Sequence, residues 1–100
     1  MKFAVYENIT MNATYVGREA GQPRGRTQSQ RVLLVIDDAP EGTLQEDVAQ
    51  KDVVQGLLAS EEITRGNAEI RPESEWPEEV REQVYSWQFD TNMRRSWGDL

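Results

Sequence analysis

The sequence predicts an α+β domain, with a small antiparallel sheet of three to four strands and two helices packed mainly on one face of that sheet. Two observations predict this class. The apolar run Val32 to Ile36 has the composition of a strand that is buried on both sides. Two later segments, 43–59 and 76–90, place apolar residues at helical spacing. A chain of 100 residues is expected to form one domain, spanning residues 1–100.

The strand at residues 31–37 is expected to be the central strand, because no other segment is as continuously apolar. Asp37 and Asp38 favour a turn at its end, and Pro40 has no N–H to give to a sheet. Leu34, in the middle of this run, is therefore expected to be deeply buried.

Three further strands are predicted around it. Residues 2–7 form the first strand, residues 8–12 form a turn with asparagine at both ends, and residues 13–17 return as the second strand of a hairpin. Residues 67–71, which precede Pro72, are predicted to form a short edge strand.

The first helix is predicted to begin at a capping box formed by Thr43 and Glu46 and to continue to about Ala59. Its apolar residues fall on two opposite sides of the helix. Two explanations remain open: the helix is packed between two layers, or it is broken at Gly56.

The second helix is predicted to begin beside Pro77, which suits a first helical turn, and to end near Asp90. One stripe of this helix is apolar and is expected to face the core. The members of that stripe are Trp76, Val80, Val84 and Trp87.

Two segments are predicted to lie outside the regular elements. Residues 20–30 are rich in glycine and polar residues and are expected to form a mobile loop with Arg24 and Arg26 at its tip. Residues 91–100 are expected to form a polar C-terminal tail, with Trp97 folding back as an anchor.

Composition narrows the possible functions. The chain has no cysteine and no histidine, so it lacks thiol nucleophiles, the commonest general base and the commonest metal ligand. The net charge is −7 and is uneven, with five basic and two acidic residues in 1–31 but six basic and sixteen acidic residues in 32–100. Such an acidic chain is expected to avoid nucleic acid and to favour a basic partner. No apolar run is long enough for a membrane span, and a cytoplasmic location is expected.

One face of the second helix is the main candidate for partner binding. Acidic residues recur there at helical spacing beside two aromatic residues. The residues that we predict to bind a partner on this side are Glu75, Glu78, Glu79, Glu82, Tyr85 and Phe89. Arg24 and Arg26 form a second, basic candidate in the predicted loop.

These features favour a non-enzymatic, acidic protein-binding module with no cofactor and no metal. Its partner is expected to be another protein with a basic surface, without direct contact to nucleic acid or membrane. In size and charge, though not in any motif, the chain is similar to phage-type inhibitors such as anti-CRISPR and anti-restriction proteins. That similarity implies that it blocks a host protein that processes nucleic acid.

Two alternatives belong to other classes. Asp37, Asp38 and Glu69, with Arg71 nearby in sequence, resemble the carboxylates of metal-dependent nucleases, in which carboxylate oxygens hold magnesium. The other alternative is a structural or assembly subunit in which residues 20–30 become ordered on binding.

Overall fold

A computed structural model describes residues 1–12, 26–60, 67–90 and 92–100. These residues form a four-stranded sheet and three α-helices, which confirms the predicted α+β class. The strands are β1 (Phe3–Asn12), β2 (Arg26–Ile36), β3 (Ala68–Pro72) and β4 (Arg94–Arg95). The helices are α1 (Gln45–Ala49), α2 (Asp52–Leu58) and α3 (Glu78–Ser86). Short 3₁₀ turns occupy Glu73–Glu75 and Trp97–Asp99.

The strand order in the sheet is β3-β1-β2-β4. β1 pairs antiparallel with both β2 and β3, whereas the two-residue β4 pairs parallel with β2. The sheet is therefore mixed rather than purely antiparallel. β2 is an interior strand, as predicted for the apolar run, and β3 is the predicted edge strand.

A β-bulge explains how a continuous apolar run serves both faces of the sheet. The register shifts between Val5, which lies opposite Leu34, and Tyr6, which lies opposite Val32, so Leu33 is the extra residue. The extra residue reverses the alternation of side chains along β2. Val32 then shares a face with Val35, while Leu34 faces the other way and is 4% exposed, as predicted.

The sheet separates two apolar clusters, and the helices lie on opposite faces. The prediction that two helices pack mainly on one face is therefore wrong. On one face α1 and α2 contribute Val48 and Val54 to the first cluster. On the other face α3 contributes Val80 and Val84 to the second. The cause is the two-sided burial of β1 and β2, since each face needs its own cover.

The predicted turn at 8–12 is wrong because β1 continues through Asn12. Its partner is β2, which begins at Arg26, so the part of the predicted loop that the structure describes, 26–30, is also strand. Strands pair through backbone hydrogen bonds, which do not require aliphatic side chains. The polar ends of β1 and β2 therefore form strand without the alternating apolar pattern by which a strand is predicted. The predicted strand 13–17 and residues 20–25 of the predicted loop lie outside the described residues.

The first helical segment begins later than predicted and breaks elsewhere. The Thr43 hydroxyl donates to the Pro40 carbonyl at 2.6 Å instead of capping a helix. The Leu44 N–H donates to the Asp47 carboxylate at 2.8 Å, so the reciprocal capping box at 43–46 is not formed. The break between α1 and α2 falls at residues 50–51, and Gly56 lies inside α2.

The predicted polar tail is an ordered strap across the end of β2. Arg94 donates from Nε to the Asp37 carboxylate at 2.8 Å and makes a second hydrogen bond to it from Nη2. Trp97 packs against the first apolar cluster, as predicted for an anchor, and the Lys51 ammonium lies 4.1 Å from the centre of its ring. The strap thus joins the sheet to the segment between α1 and α2.

Candidate functional site

The helix α3 has three sides with different environments. Val80 and Val84 are buried under the sheet, together with Trp76 before the helix. The side chains of Glu79 and Gln83 reach the edge of β2. The third side, which we call the α3 outer face, consists of Glu78, Glu82 and Tyr85 of the helix together with Phe89 in the turn that follows it, all of them exposed. The helix ends at Ser86 and not near Asp90 as predicted, so Phe89 is not held in place by helical spacing. Four of the six residues predicted on this side of the chain are therefore exposed.

The α3 outer face carries two of the four large hydrophobic residues that are exposed in the described chain. The Phe89 side chain is 88% exposed and Tyr85 is 54% exposed. A phenylalanine left this open gains nothing for folding, because its apolar area stays in water. Aromatic residues are enriched in protein interfaces, so this pair identifies the surface as a candidate binding site.

Glu79 does not belong to that surface. Its carboxylate accepts hydrogen bonds from the Ser29 hydroxyl at 2.8 Å and from the Gln30 N–H at 3.1 Å. It holds the outer edge of β2, where none of the described strands pairs at this level. These contacts give Glu79 a structural role at the edge of β2.

Gln83 completes the closure of the same edge. Its Oε1 accepts from the Val32 N–H at 2.9 Å, and its Nε2 donates to the Gln30 carbonyl at 2.6 Å. An open strand edge invites pairing with other chains, and these side chains block it. Sequence reasoning missed Gln83; its spacing of four residues from Glu79, beside the apolar stripe, was the available signal.

Glu75 is separated from the helix. It lies in the 3₁₀ turn Glu73–Glu75 and borders a surface groove with Thr43 and Leu44, before α1. The stripe predicted from Glu75 to Glu82 is thus divided between two parts of the surface. Of the basic candidates, Arg24 lies outside the described residues, and Arg26 begins β2, with its side chain outside the description.

Charge on the α3 outer face is negative. Glu78 and Glu82 are its two ionisable carboxylates, and the one basic residue of α3, Arg81, points elsewhere. Arg81 donates from Nη2 to the Glu73 carbonyl at 2.5 Å, and its guanidinium lies 6.0 Å from the centre of the Trp76 ring. The segment that exposes these aromatic residues therefore also exposes two acidic side chains.

The three carboxylates of the metal-site alternative have separate partners. Asp37 binds Arg94, and Glu69 accepts a hydrogen bond from the Tyr6 hydroxyl at 2.7 Å. Asp38 accepts from the Trp97 N–H at 2.7 Å and from the Ser96 hydroxyl at 2.8 Å. In the described parts of the chain, no group of three or more acidic, histidine or cysteine residues is placed to hold a metal ion.

These contacts shift two pKa values. The hydrogen bond from the Trp97 N–H, aided by the Ser96 hydroxyl, lowers the pKa of Asp38 because both donors favour its ionised form. Burial raises the pKa of Tyr6 to about 12, and the hydrogen bond to the Glu69 carboxylate acts in the same direction. Both shifts are consequences of structural contacts, one at the C-terminal strap and one between β1 and β3.

No helix within the described ranges has the length and apolar character needed to cross a membrane. Comparison with protein-family models, with curated proteins and with solved structures found no match to this chain.

Proposed function

We propose that this chain is a non-enzymatic protein-binding module that docks through the α3 outer face. The observation that carries the proposal is the exposure of two aromatic residues, Tyr85 on α3 and Phe89 in the turn after it, in a segment that also exposes the acidic residues Glu78 and Glu82. Aromatic residues supply the desolvated contact that gives affinity, and surrounding charges set the rate of encounter.

The acidic charge of this chain favours a partner protein with a basic surface. Residues 32–100 carry sixteen acidic and six basic residues, so the approach of a positive surface is favoured over the whole body of the protein. Proteins that process nucleic acid present such surfaces to phosphate groups. The proposed action is inhibition, in the manner of a phage-type inhibitor, with α3 covering a basic surface that nucleic acid otherwise occupies. The proposed setting is the cytoplasm.

The way α3 is held supports a docking role. Val80 and Val84 fix the helix to the sheet by burial, and Glu79 and Gln83 fix its rotation by hydrogen bonds to β2. A helix anchored on two sides presents its third side without losing further freedom on binding. Pre-organisation of this kind raises affinity for a given set of contacts.

The test is a comparative capture experiment from the source cell. Tagged wild type is compared with a double variant of the outer face, Glu78→Lys with Glu82→Lys, and with an aromatic variant, Tyr85→Ala with Phe89→Ala. Glu79 is left unchanged because its replacement disturbs β2. Quantitative mass spectrometry of the retained proteins is the measurement, and circular dichroism checks the fold of each variant.

A matched control separates the site from net charge. Glu41→Lys with Asp52→Lys changes the charge by the same amount, at two exposed positions outside α3, and Asp52 begins α2 as Glu78 begins α3. The proposal requires at least one basic protein that wild type and control retain and both face variants lose. If every captured protein is retained equally by the folded face variants, the α3 outer face is not the binding site.

A further inference from the structure

The outer edge of β3 carries backbone groups that pair with no other described strand. The Asn8 N–H donates to the Asn67 carbonyl at 2.8 Å, and the Glu73 N–H donates to the Lys2 carbonyl at 3.0 Å. Alternation along an antiparallel pair then turns the backbone groups of residues 69 and 71 toward β1, and those of residues 68, 70 and 72 away from it. In the described residues, no other strand pairs with β3 on that side.

This edge differs from the opposite edge of the sheet. There, β2 is closed by β4 and by the side chains of Glu79 and Gln83. Among the described elements, α1 also contacts β3, and a groove lined by Gln45, Glu46 and Ala49 lies between them. One side chain crosses that groove, since Arg71 donates from Nη1 to Gln45 at 3.0 Å.

We propose that β3 pairs antiparallel with β3 of a second copy of this chain, about a two-fold axis at Ile70. In this register the N–H and carbonyl of each Ile70 bond to those of the other copy. The Ala68 N–H of each copy donates to the Pro72 carbonyl of its partner. Pro72 lacks an N–H, and the position it occupies in this pairing is one where only its carbonyl is used.

Charge selects this register. With Ile70 opposite itself, Glu69 of each copy lies directly opposite Arg71 of the other, which forms two attractive cross-strand pairs. Shifting the register by two residues in one direction sets Glu69 opposite Glu69, and in the other direction sets Arg71 opposite Arg71. Both alternatives place like charges together, so the sequence of β3 is self-complementary in one register only.

Both side chains are partly exposed, but the Glu69 carboxylate already accepts a hydrogen bond from the Tyr6 hydroxyl at 2.7 Å through Oε2, so the proposed pair uses its other oxygen, Oε1. Glu69 and Arg71 lie on the same face of β3, with side chains 39% and 35% exposed, and their own ion pair is loose at 3.8 Å. On pairing, Arg71 gives up its contacts with Glu69 and Gln45 of its own chain and binds the Glu69 carboxylate of the second copy. The pairing is independent of the proposed function, because α3 packs beside β2 on the other side of the molecule and keeps its outer face free.

A strand of five residues buries little area, so the association is weak and must be sought at high concentration. Sedimentation equilibrium of the full chain, from about 10 µM to about 1 mM, is expected to show a reversible monomer–dimer equilibrium. Glu69→Arg and Arg71→Glu, tested singly, replace two attractive pairs with two repulsive ones and are expected to weaken dimerisation by roughly tenfold or more. The double variant Glu69→Arg with Arg71→Glu restores opposite charges and is expected to regain dimerisation.

Ala68→Pro provides a second test that does not alter charge. It removes an N–H that points away from β1 and leaves the bonds between β1 and β3 in place. This variant is expected to fold and to lose dimerisation, with circular dichroism as the check on folding. The proposal is overturned if the wild type stays monomeric throughout the range, if the double variant fails to regain dimers, or if folded Ala68→Pro dimerises like wild type.

Discussion

The side-chain carbonyl of Gln83 accepts a hydrogen bond from the backbone N–H of Val32 at 2.9 Å, so a helix side chain occupies the place of a neighbouring strand. The amide nitrogen of Gln83 also donates to the Gln30 carbonyl. An isolated strand edge would leave these groups to water or to another chain. The same contacts orient α3 and so determine which of its sides faces outward.

Replacing Gln83 with alanine is expected to lower the free energy of unfolding by about 1–3 kcal/mol, because the backbone groups of Gln30 and Val32 lose their partners. Urea denaturation followed by circular dichroism is the measurement. Gln88→Ala, at an exposed position after α3, is the control and is expected to stay within about 0.5 kcal/mol of wild type. Equal effects of the two substitutions would show that the contacts of Gln83 add no stability.

Leu34→Ala tests the burial that follows from the bulge at Leu33. Leu34 is 4% exposed within the first apolar cluster, and truncating it leaves a cavity beneath α1 and α2. A loss of about 2–5 kcal/mol in the free energy of unfolding is expected from denaturant titration. The same change at Leu44, which is 60% exposed, provides the control. A loss below about 1 kcal/mol at Leu34 would contradict a two-sided core.

The central strand and α3 were predictable because their signals are local. Five adjacent apolar residues identify a buried strand, and Trp76, Val80 and Val84 repeat with the period of a helix. The division of the helices between the two faces follows from burial of β2 on both sides, which the apolar run indicated, although the prediction placed both helices on one face. The bulge in β2 was not predictable, because one extra residue leaves no trace in an apolar run.

The polar part of β2 and the C-terminal strap were missed for a related reason. Residues 26–30 have no apolar alternation, and their strand conformation depends on pairing with β1. Arg94 is defined by its contact with Asp37, which is 57 residues away in sequence. Of the predicted site, Tyr85 and Phe89 were placed correctly on an exposed face, whereas the role of Glu79 follows from a contact 50 residues distant.

The contribution of Asp38 to folding stability is expected to be lost at low pH. Its pKa is lowered in the folded protein by the Trp97 N–H first and the Ser96 hydroxyl second, so the folded state favours the ionised carboxylate. The stabilisation is present above the pKa of the unfolded chain and is lost as pH falls through the lower folded value. Asp38→Asn is expected to be less stable than wild type at neutral pH, and the gap in melting temperature is expected to close in acid. Asp52→Asn serves as control, and a gap that is constant with pH would exclude this linkage.

The contribution of Tyr6 to folding stability is expected to be lost at high pH. Burial and the Glu69 carboxylate raise its pKa to about 12 from 10.0, so the folded state retains a proton that the unfolded chain releases. The stabilisation is intact below pH 10 and is lost as pH rises toward about 12. Over that pH range, the melting temperature of the wild type is expected to fall toward that of Tyr6→Phe. The measurement is the phenolate absorbance of the wild type minus that of Tyr6→Phe, which reports Tyr6 alone. This difference should rise near pH 12, and a rise near pH 10 would contradict the buried hydrogen bond.

The charged and aromatic residues of the α3 outer face are expected to affect different rate constants. Glu78→Lys with Glu82→Lys should slow association with a basic partner by about tenfold at low salt, and less at high salt, because exposed charges act at long range and are screened. Tyr85→Ala with Phe89→Ala should instead speed dissociation, because it removes buried contact area. Surface plasmon resonance at two salt concentrations, using the partner captured by wild type, separates the two effects. Unchanged association in the charge variant, with the fold intact by circular dichroism, would remove the acidic residues from the proposed mechanism.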